Sequence, residues 1–269
     1  MGDLLMTGAA GGAGSFLRPL LRECYGRVIL SDRAEMTDLV EGEEFRQAEL
    51  SDPQAIAAAL QGVDRVIHLG GQPVEADWDT VNASNIAGLH TFYEAARAAG
   101  VKRVVFASSN HAIGFYGRHR RIGADDRVRP DSLYGVSKAF GEALAALYAD
   151  KHGIGTLSIR IGNVAMEPAD TRRLSMWLHP EDLMQLCVIG LEHPEVHNQV
   201  VFGASGNART WWDNSAAFAL GYRPAFDAEH WAADAVKGDG APDPVGDRFQ
   251  GGGFCSQGFE GDVERNLWH

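Results

Sequence analysis

The sequence predicts an α/β chain, a parallel sheet of about seven strands doubly wound with helices on both faces. Three observations carry this. Short apolar runs alternate with helix-spaced segments through most of the 269 residues, a glycine-rich turn joins the first strand to the first helix, and glycine or polar residues follow successive strands at their carboxyl ends.

Residues 4–7 read as a short buried strand running straight into Gly8-Ala-Ala-Gly11-Gly12-Ala13-Gly14, and residues 15–24 carry helix-spaced Phe16, Leu17, Leu20 and Leu21. Strand, G-x-x-G-x-x-G turn and helix are the parts of a dinucleotide phosphate site: glycines let the backbone approach the pyrophosphate, and the helix start faces it with free N–H groups. A second strand at 27–30 ends in Ser31-Asp32. A carboxylate there accepts from the adenosine ribose hydroxyls and repels a 2′-phosphate, which favours NAD over NADP, with Arg33 the one neighbour that could receive that phosphate.

A third strand is expected over 44–50. Asp52-Pro53 then opens an alanine-rich helix, with proline at its favoured first position. Residues 64–69 form the fourth strand, closed by Gly70-Gly71; 77–99 form one long helix and 102–108 the fifth strand. Ligands bind beyond the carboxyl ends of such strands, where Gly8, Asp32, Gly70 and Ser109 all fall. Four separate segments therefore bring suitable chemistry to one edge.

After Ser109, Asn110 and His111 comes a loop, then Tyr134-Gly-Val-Ser-Lys138 on a helix capped by Asp131 or Ser132. Side chains four apart share a helix face, so Tyr134 and Lys138 point the same way. A nearby ammonium favours the phenolate over the phenol, and a hydroxyl such as that of Ser109 can hold the substrate oxygen while the tyrosine takes its proton. That arrangement describes alcohol oxidation. A sixth strand at 156–161 leaves through Gly162-Asn163, residues 165–177 are irregular and hold Arg172 and Arg173, His179-Pro180 starts another helix, and 199–202 form the seventh strand. Residues 163–180 and 205–269 are expected to form a small substrate-side annex to a single dinucleotide-binding domain.

The net charge of -12 argues against a nucleic-acid or anionic membrane surface as partner. Three cysteines, far apart and without a C-x-x-C pair, argue for a reducing compartment and against a structural metal. No segment has the run of about 20 apolar residues needed to span a bilayer, nor does the start look like a signal peptide. A cytoplasmic protein is expected.

Together Gly8-x-x-Gly11-x-x-Gly14, Asp32, Asn85-Ile-Ala-Gly88, Ser109 and Tyr134-x-x-x-Lys138 resemble the extended short-chain dehydrogenase/reductase superfamily, of Rossmann type. More narrowly, Ala107-Ser-Ser-Asn-His-Ala-Ile-Gly114, Leu133-Tyr-Gly-Val-Ser-Lys-Ala-Phe-Gly-Glu142, Trp211-Trp-Asp-Asn-Ser215 and Arg248-Phe-Gln-Gly-Gly252 are similar to the uronate dehydrogenases. The resemblance runs from the first strand to the tail. It implies NAD-dependent oxidation of cyclic D-glucuronate or D-galacturonate at C1 to an aldarolactone. By the same resemblance Tyr134 is the general base, Lys138 holds the nicotinamide ribose and lowers the tyrosine pKa, and Ser109 binds the reacting oxygen. Asn110, His111 and Asn163 contact the sugar, and Arg172 pairs with its C6 carboxylate. A guanidinium suits that task because it grips a carboxylate with two parallel bonds. Glu49, Leu50, Leu69, Gly70, Gly71 and Asn85 fall in the cofactor site. The sequence departs from the family pattern at Pro73 and Asn163, where serines usually stand, and at Glu49, where an aspartate does.

The superfamily also contains nucleotide-sugar epimerases and dehydratases, which need a larger C-terminal portion than the roughly 65 residues after Phe202. A non-catalytic NAD-binding redox sensor would lack the tyrosine or lysine that both stand here. His68 reads as structural, the run Arg118 to Arg129 as a solvated loop balanced by Asp125 and Asp126, and Trp177, Trp211 and Trp212 as packing residues. A homo-oligomer is expected, through the face bearing Val136, Phe140 and Leu147.

Overall fold

The computed structural model describes residues 3–267. Seven strands form one parallel sheet in the order β3-β2-β1-β4-β5-β6-β9, with β1 Asp3–Thr7, β2 Val28–Ser31, β3 Glu43–Phe45, β4 Val63–His68, β5 Arg103–Ser109, β6 Gly155–Ile161 and β9 Asn198–Gly203. A separate two-stranded pair joins β7 Asn163–Val164 to β8 Trp177–Leu178. The order reverses at β1, so β1 and β4 diverge to opposite halves of the sheet and leave a crevice at their carboxyl ends.

Strand alternation sorts the core into two layers. Leu4, Met6, Val28 and Leu30 pack against α1 (Gly12–Tyr25) and α6 (Pro180–Glu192). Leu5, Ile29, Val66 and Val104 face the other way, toward α2 (Pro53–Ala59), α4 (Gly88–Ala99) and α5 (Leu133–His152). Both faces are covered, which is why these strands read as continuous apolar runs.

Three local expectations need correction. The third strand stops at Phe45 instead of reaching residue 50, because β2, with which it pairs, ends at Ser31. The helix expected over 77–99 is interrupted: α3 (Trp78–Val81) passes into a π-helical turn, Asn82–Ala87, before α4. The arginine-rich loop is not simply solvated. Tyr116 and Ile122 are buried with Met176, Phe202 and Trp212, and Arg118 donates to the carbonyls of Phe249 and Gly246. Arg120 and Arg129 each lie 5.1 Å from the Tyr116 ring centre. The loop is thereby bound to the C-terminal segment, through Gly117 paired with Phe249 and Ile122 with Trp212.

Candidate active site

The carboxyl ends of β1, β2 and β4 enclose a cleft of about 430 Å³. It is lined by Gly8, Gly11, Gly12, Ala13 and Gly14 from the first turn, Asp32 from the second, Glu49 and Leu50 from the segment after β3, and Leu69, Gly70 and Gly71 after β4. Pro73 and Arg33 also line it, as does Ser84, which the sequence does not single out. Gly8 has φ +69°, and a Cβ there would sit 2.7 Å from the Gly70 nitrogen, so only glycine lets the two turns meet. The first turn of α1 has no side-chain cap, and its N–H groups face the cleft free to receive an anion. Asp32 stands across from them: one carboxylate oxygen accepts from the Ala10 N–H (3.0 Å), the other from the Ala34 N–H. A glycine cradle, a bare helix start and a carboxylate at the end of β2 fit a dinucleotide with a free ribose 2′-hydroxyl.

Asn85 lies deeper than expected for a cofactor contact. Buried in the π-helical turn, it accepts from the Gln72 N–H and donates to the Gln72 carbonyl and to Ser137 Oγ, tying the wall of the cleft to α5. Glu75 adds a second tie, its carboxylate accepting from the N–H groups of Leu133 and Tyr134 at the start of α5. Of the two candidate caps, Ser132 accepts from the Gly135 N–H.

Tyr134 therefore sits in the first turn of α5, with Lys138 one turn on and Ser109 at the end of β5. All three are buried. The Ser109 hydroxyl accepts from the His111 N–H, and the Lys138 ammonium lies 5.4 Å from the phenol ring centre while donating to the Ala107 carbonyl. Lys138 also lines a small cavity with Gly70, Ser84 and Asn85, which borders the larger cleft through the first two of these. Sequence reasoning expects the lysine to lower the tyrosine pKa. Burial dominates instead: it pushes the phenol up to about 12, with the Asp131 charge acting in the same direction and the Ser109 hydroxyl opposing. Burial likewise pushes the lysine down to about 8.

The lysine shift makes stability depend on pH. Its folded pKa lies below the ordinary value of 10.5, so folding favours the neutral amine. The stability this adds is fully present above the ordinary value and is lost as pH falls through about 8. Lys138→Met lacks this linkage. In urea titrations from about pH 7 to 10.5, the unfolding free energy of the parent protein should rise relative to the variant by roughly 1–3 kcal/mol.

Beside the tyrosine, His111 is held by Phe254, stacked at 3.9 Å between ring centres, and meets Tyr134 edge-on at 5.8 Å. Its Nδ1 is 2.7 Å from Asp131 Oδ2. Asn110 is buried, and its Nδ2 has no partner among the described residues. Arg172 reaches the same segment from the other side: Nε and an Nη donate to the Gln250 carbonyl, at 3.1 and 2.7 Å. Burial, helped by Arg118 and Arg173, pushes its guanidinium down to about 10. Arg173 is paired with Asp170, whereas Arg172 has no carboxylate partner among the described residues. Asn163 stands on β7, partly buried, with its backbone N–H donating to Met176. His68 has the structural place expected of it, buried between Phe92 and Phe106 and bonded to Thr7. Asp131, Gln250 and Phe254 escape sequence reasoning, although Gln250 lies in the Arg-Phe-Gln-Gly-Gly run.

Residues 4–179 match the model of the NAD dependent epimerase/dehydratase family. Over 264 residues the chain is 45% identical to the uronate dehydrogenase of Pseudomonas syringae pv. tomato, covering 96% of this chain and 95% of that one. The chain belongs to the uronate dehydrogenases. The uronate dehydrogenase of Agrobacterium fabrum is 43% identical over 94% of this chain and 97% of its own. The crystal structure of a mutant uronate dehydrogenase from Agrobacterium tumefaciens, complexed with NAD, superimposes with a TM-score of 0.91 at 42% identity, covering 95% of this chain and 97% of that one. Like other uronate dehydrogenases, the chain is an NAD-dependent oxidoreductase. No described helix is long and apolar enough to cross a membrane.

Proposed function

We propose that this uronate dehydrogenase oxidises D-glucuronate or D-galacturonate, in the cyclic form, at C1 to the aldarolactone, with Tyr134, Ser109 and Lys138 as its catalytic residues. The observation that carries the reading is the half-buried Arg172, without a carboxylate partner among the described residues and held at the same Gln250–Phe254 segment that braces His111 beside Tyr134. A partly desolvated cation without an anion is unfavourable until a substrate carboxylate supplies one.

When bound, NAD supplies a hydride acceptor that carries a positive charge. Ser109 donates to the C1 oxygen and orients it toward the phenol. Tyr134 takes the C1 hydroxyl proton at its phenol oxygen. It acts as the phenolate and becomes the neutral phenol, and the Lys138 ammonium opposes the effect of burial by stabilising the phenolate that must be present before that step. Asn110 Nδ2 donates to a sugar hydroxyl, Asn163 offers a further amide to the ring, and Arg172 grips the C6 carboxylate. Residues 163–180 and 205–269 act as the substrate-side annex. Exposed Val136 and Leu147 on α5 support a homo-oligomer, and the free Cys24, Cys187 and Cys255 agree with the reducing cytoplasm.

The test is an absorbance assay for NADH with each hexuronate. Turnover with NAD and little with NADP is expected. No NADH from either sugar acid would overturn the substrate assignment, and equal efficiency with NADP would overturn the role given to Asp32.

A further inference from the structure

Asp131 has an environment that a helix cap does not explain. Ser132 already caps α5, yet the Asp131 side chain is wholly enclosed, with Oδ2 2.7 Å from His111 Nδ1 and Oδ1 accepting from Ser132 Oγ at 2.8 Å. Its backbone N–H donates to the His111 carbonyl, so the two residues are clasped through main chain and side chain at once. The socket is shaped for this carboxylate. A Cβ on either Gly114 or Gly251 would overlap Oδ2, and the Cys255 thiol closes the remaining side at 3.9 Å. No arginine or lysine bonds Asp131 among the described residues, which leaves the imidazole as its strongest donor. The His111 ring has its plane set by the stacked Phe254 and its in-plane direction set by Asp131. No described residue bonds Nε2, at the end of the ring away from Asp131.

We infer that Asp131 is the positioning residue of the sugar site: it holds His111 with a proton on Nδ1, so that Nε2 faces the hexuronate as the acceptor for one of its hydroxyls. The inference rests on the substrate reading above. An ionised carboxylate only accepts hydrogen bonds, so the nitrogen facing it carries the proton and, in the neutral ring, the other nitrogen is left as acceptor. An amide in place of the carboxylate can donate to Nδ1 instead. That moves the proton to Nε2 and turns an acceptor into a donor without altering the shape of the socket.

Two measurements on the NAD-saturated protein test this. Nitrogen-15 spectra of histidine-labelled protein, with His111 assigned by its loss in His111→Gln, should show a protonated Nδ1 and an unprotonated Nε2 at about pH 8. The opposite tautomer overturns the inference, whatever the substrate proves to be. In kinetics, Asp131→Asn should raise KM for the hexuronate about tenfold, the scale of one hydrogen bond, and leave NAD affinity within about twofold. In a His111→Gln background the same change should have no further effect on KM, because the aspartate acts through the histidine. Additive losses, or a loss of NAD binding, would make Asp131 merely structural. If Asp131→Asn fails to fold or no hexuronate is turned over, the tautomer measured in the parent protein still decides the matter.

Discussion

Replacing Tyr134 with phenylalanine should lower kcat by about a thousandfold or more while NAD binds as before. The phenol oxygen is the only part removed, and general-base catalysis by a positioned side chain is worth roughly 10²–10⁴. The ring stays against His111 and Phe254, and the glycine cradle, Asp32 and Leu50 are untouched. Fluorescence titration with NADH and steady-state rates separate the two effects. A variant that kept even a tenth of the activity would remove the tyrosine from the chemistry. Since burial pushes the phenol up to about 12, the rate of the parent protein should also climb with pH across the neutral range, as the fraction of phenolate grows.

The second large effect is expected at Arg172. Arg172→Lys keeps the charge but loses the planar fork, and with it the paired grip on a carboxylate and the bonds to the Gln250 carbonyl. The loss of a partly buried, doubly bonded charge contact is worth about 3 kcal/mol, so KM for the hexuronate should rise roughly a hundredfold. Rates with the corresponding neutral aldose, which has no C6 carboxylate, should differ little between parent and variant. Equal losses on acid and aldose would mean that the arginine supports the fold and does not read the carboxylate.

The sheet and its glycine turn were legible because the central strands are buried on both faces and each ligand-facing turn follows a strand end, a local pattern. The places of Asp32 and Ser109 at strand ends were readable for the same reason, and that of Tyr134 one turn from Lys138 from their spacing on a helix. What lay beyond reading was set by distant chain. The π-helical turn depends on Asn85 reaching Gln72 and Ser137, 13 and 52 residues away. The loop holding Tyr116 and Ile122 looks polar, but Gln250, buried and bonded to Gly117, Arg120 and Trp212, draws it inward from 130 residues downstream. Asp131 next to Ser132 is indistinguishable by sequence from an ordinary cap. The tyrosine's raised pKa comes from burial, which spacing along a helix does not encode.

The wide turn at Asn82–Ala87 also sets how far this region tolerates change in length. A π-turn carries one more residue than an α-turn over about the same rotation, so dropping a residue there lets the chain fall into regular α geometry with the flanking segments still in register, while the bulged side chains lose their places. Asn85 would swing off the wall it now laces to the tyrosine helix, with every chemical group at the reaction centre still present. Homologues shortened at this one point would thus keep a complete inventory and lose the brace across it.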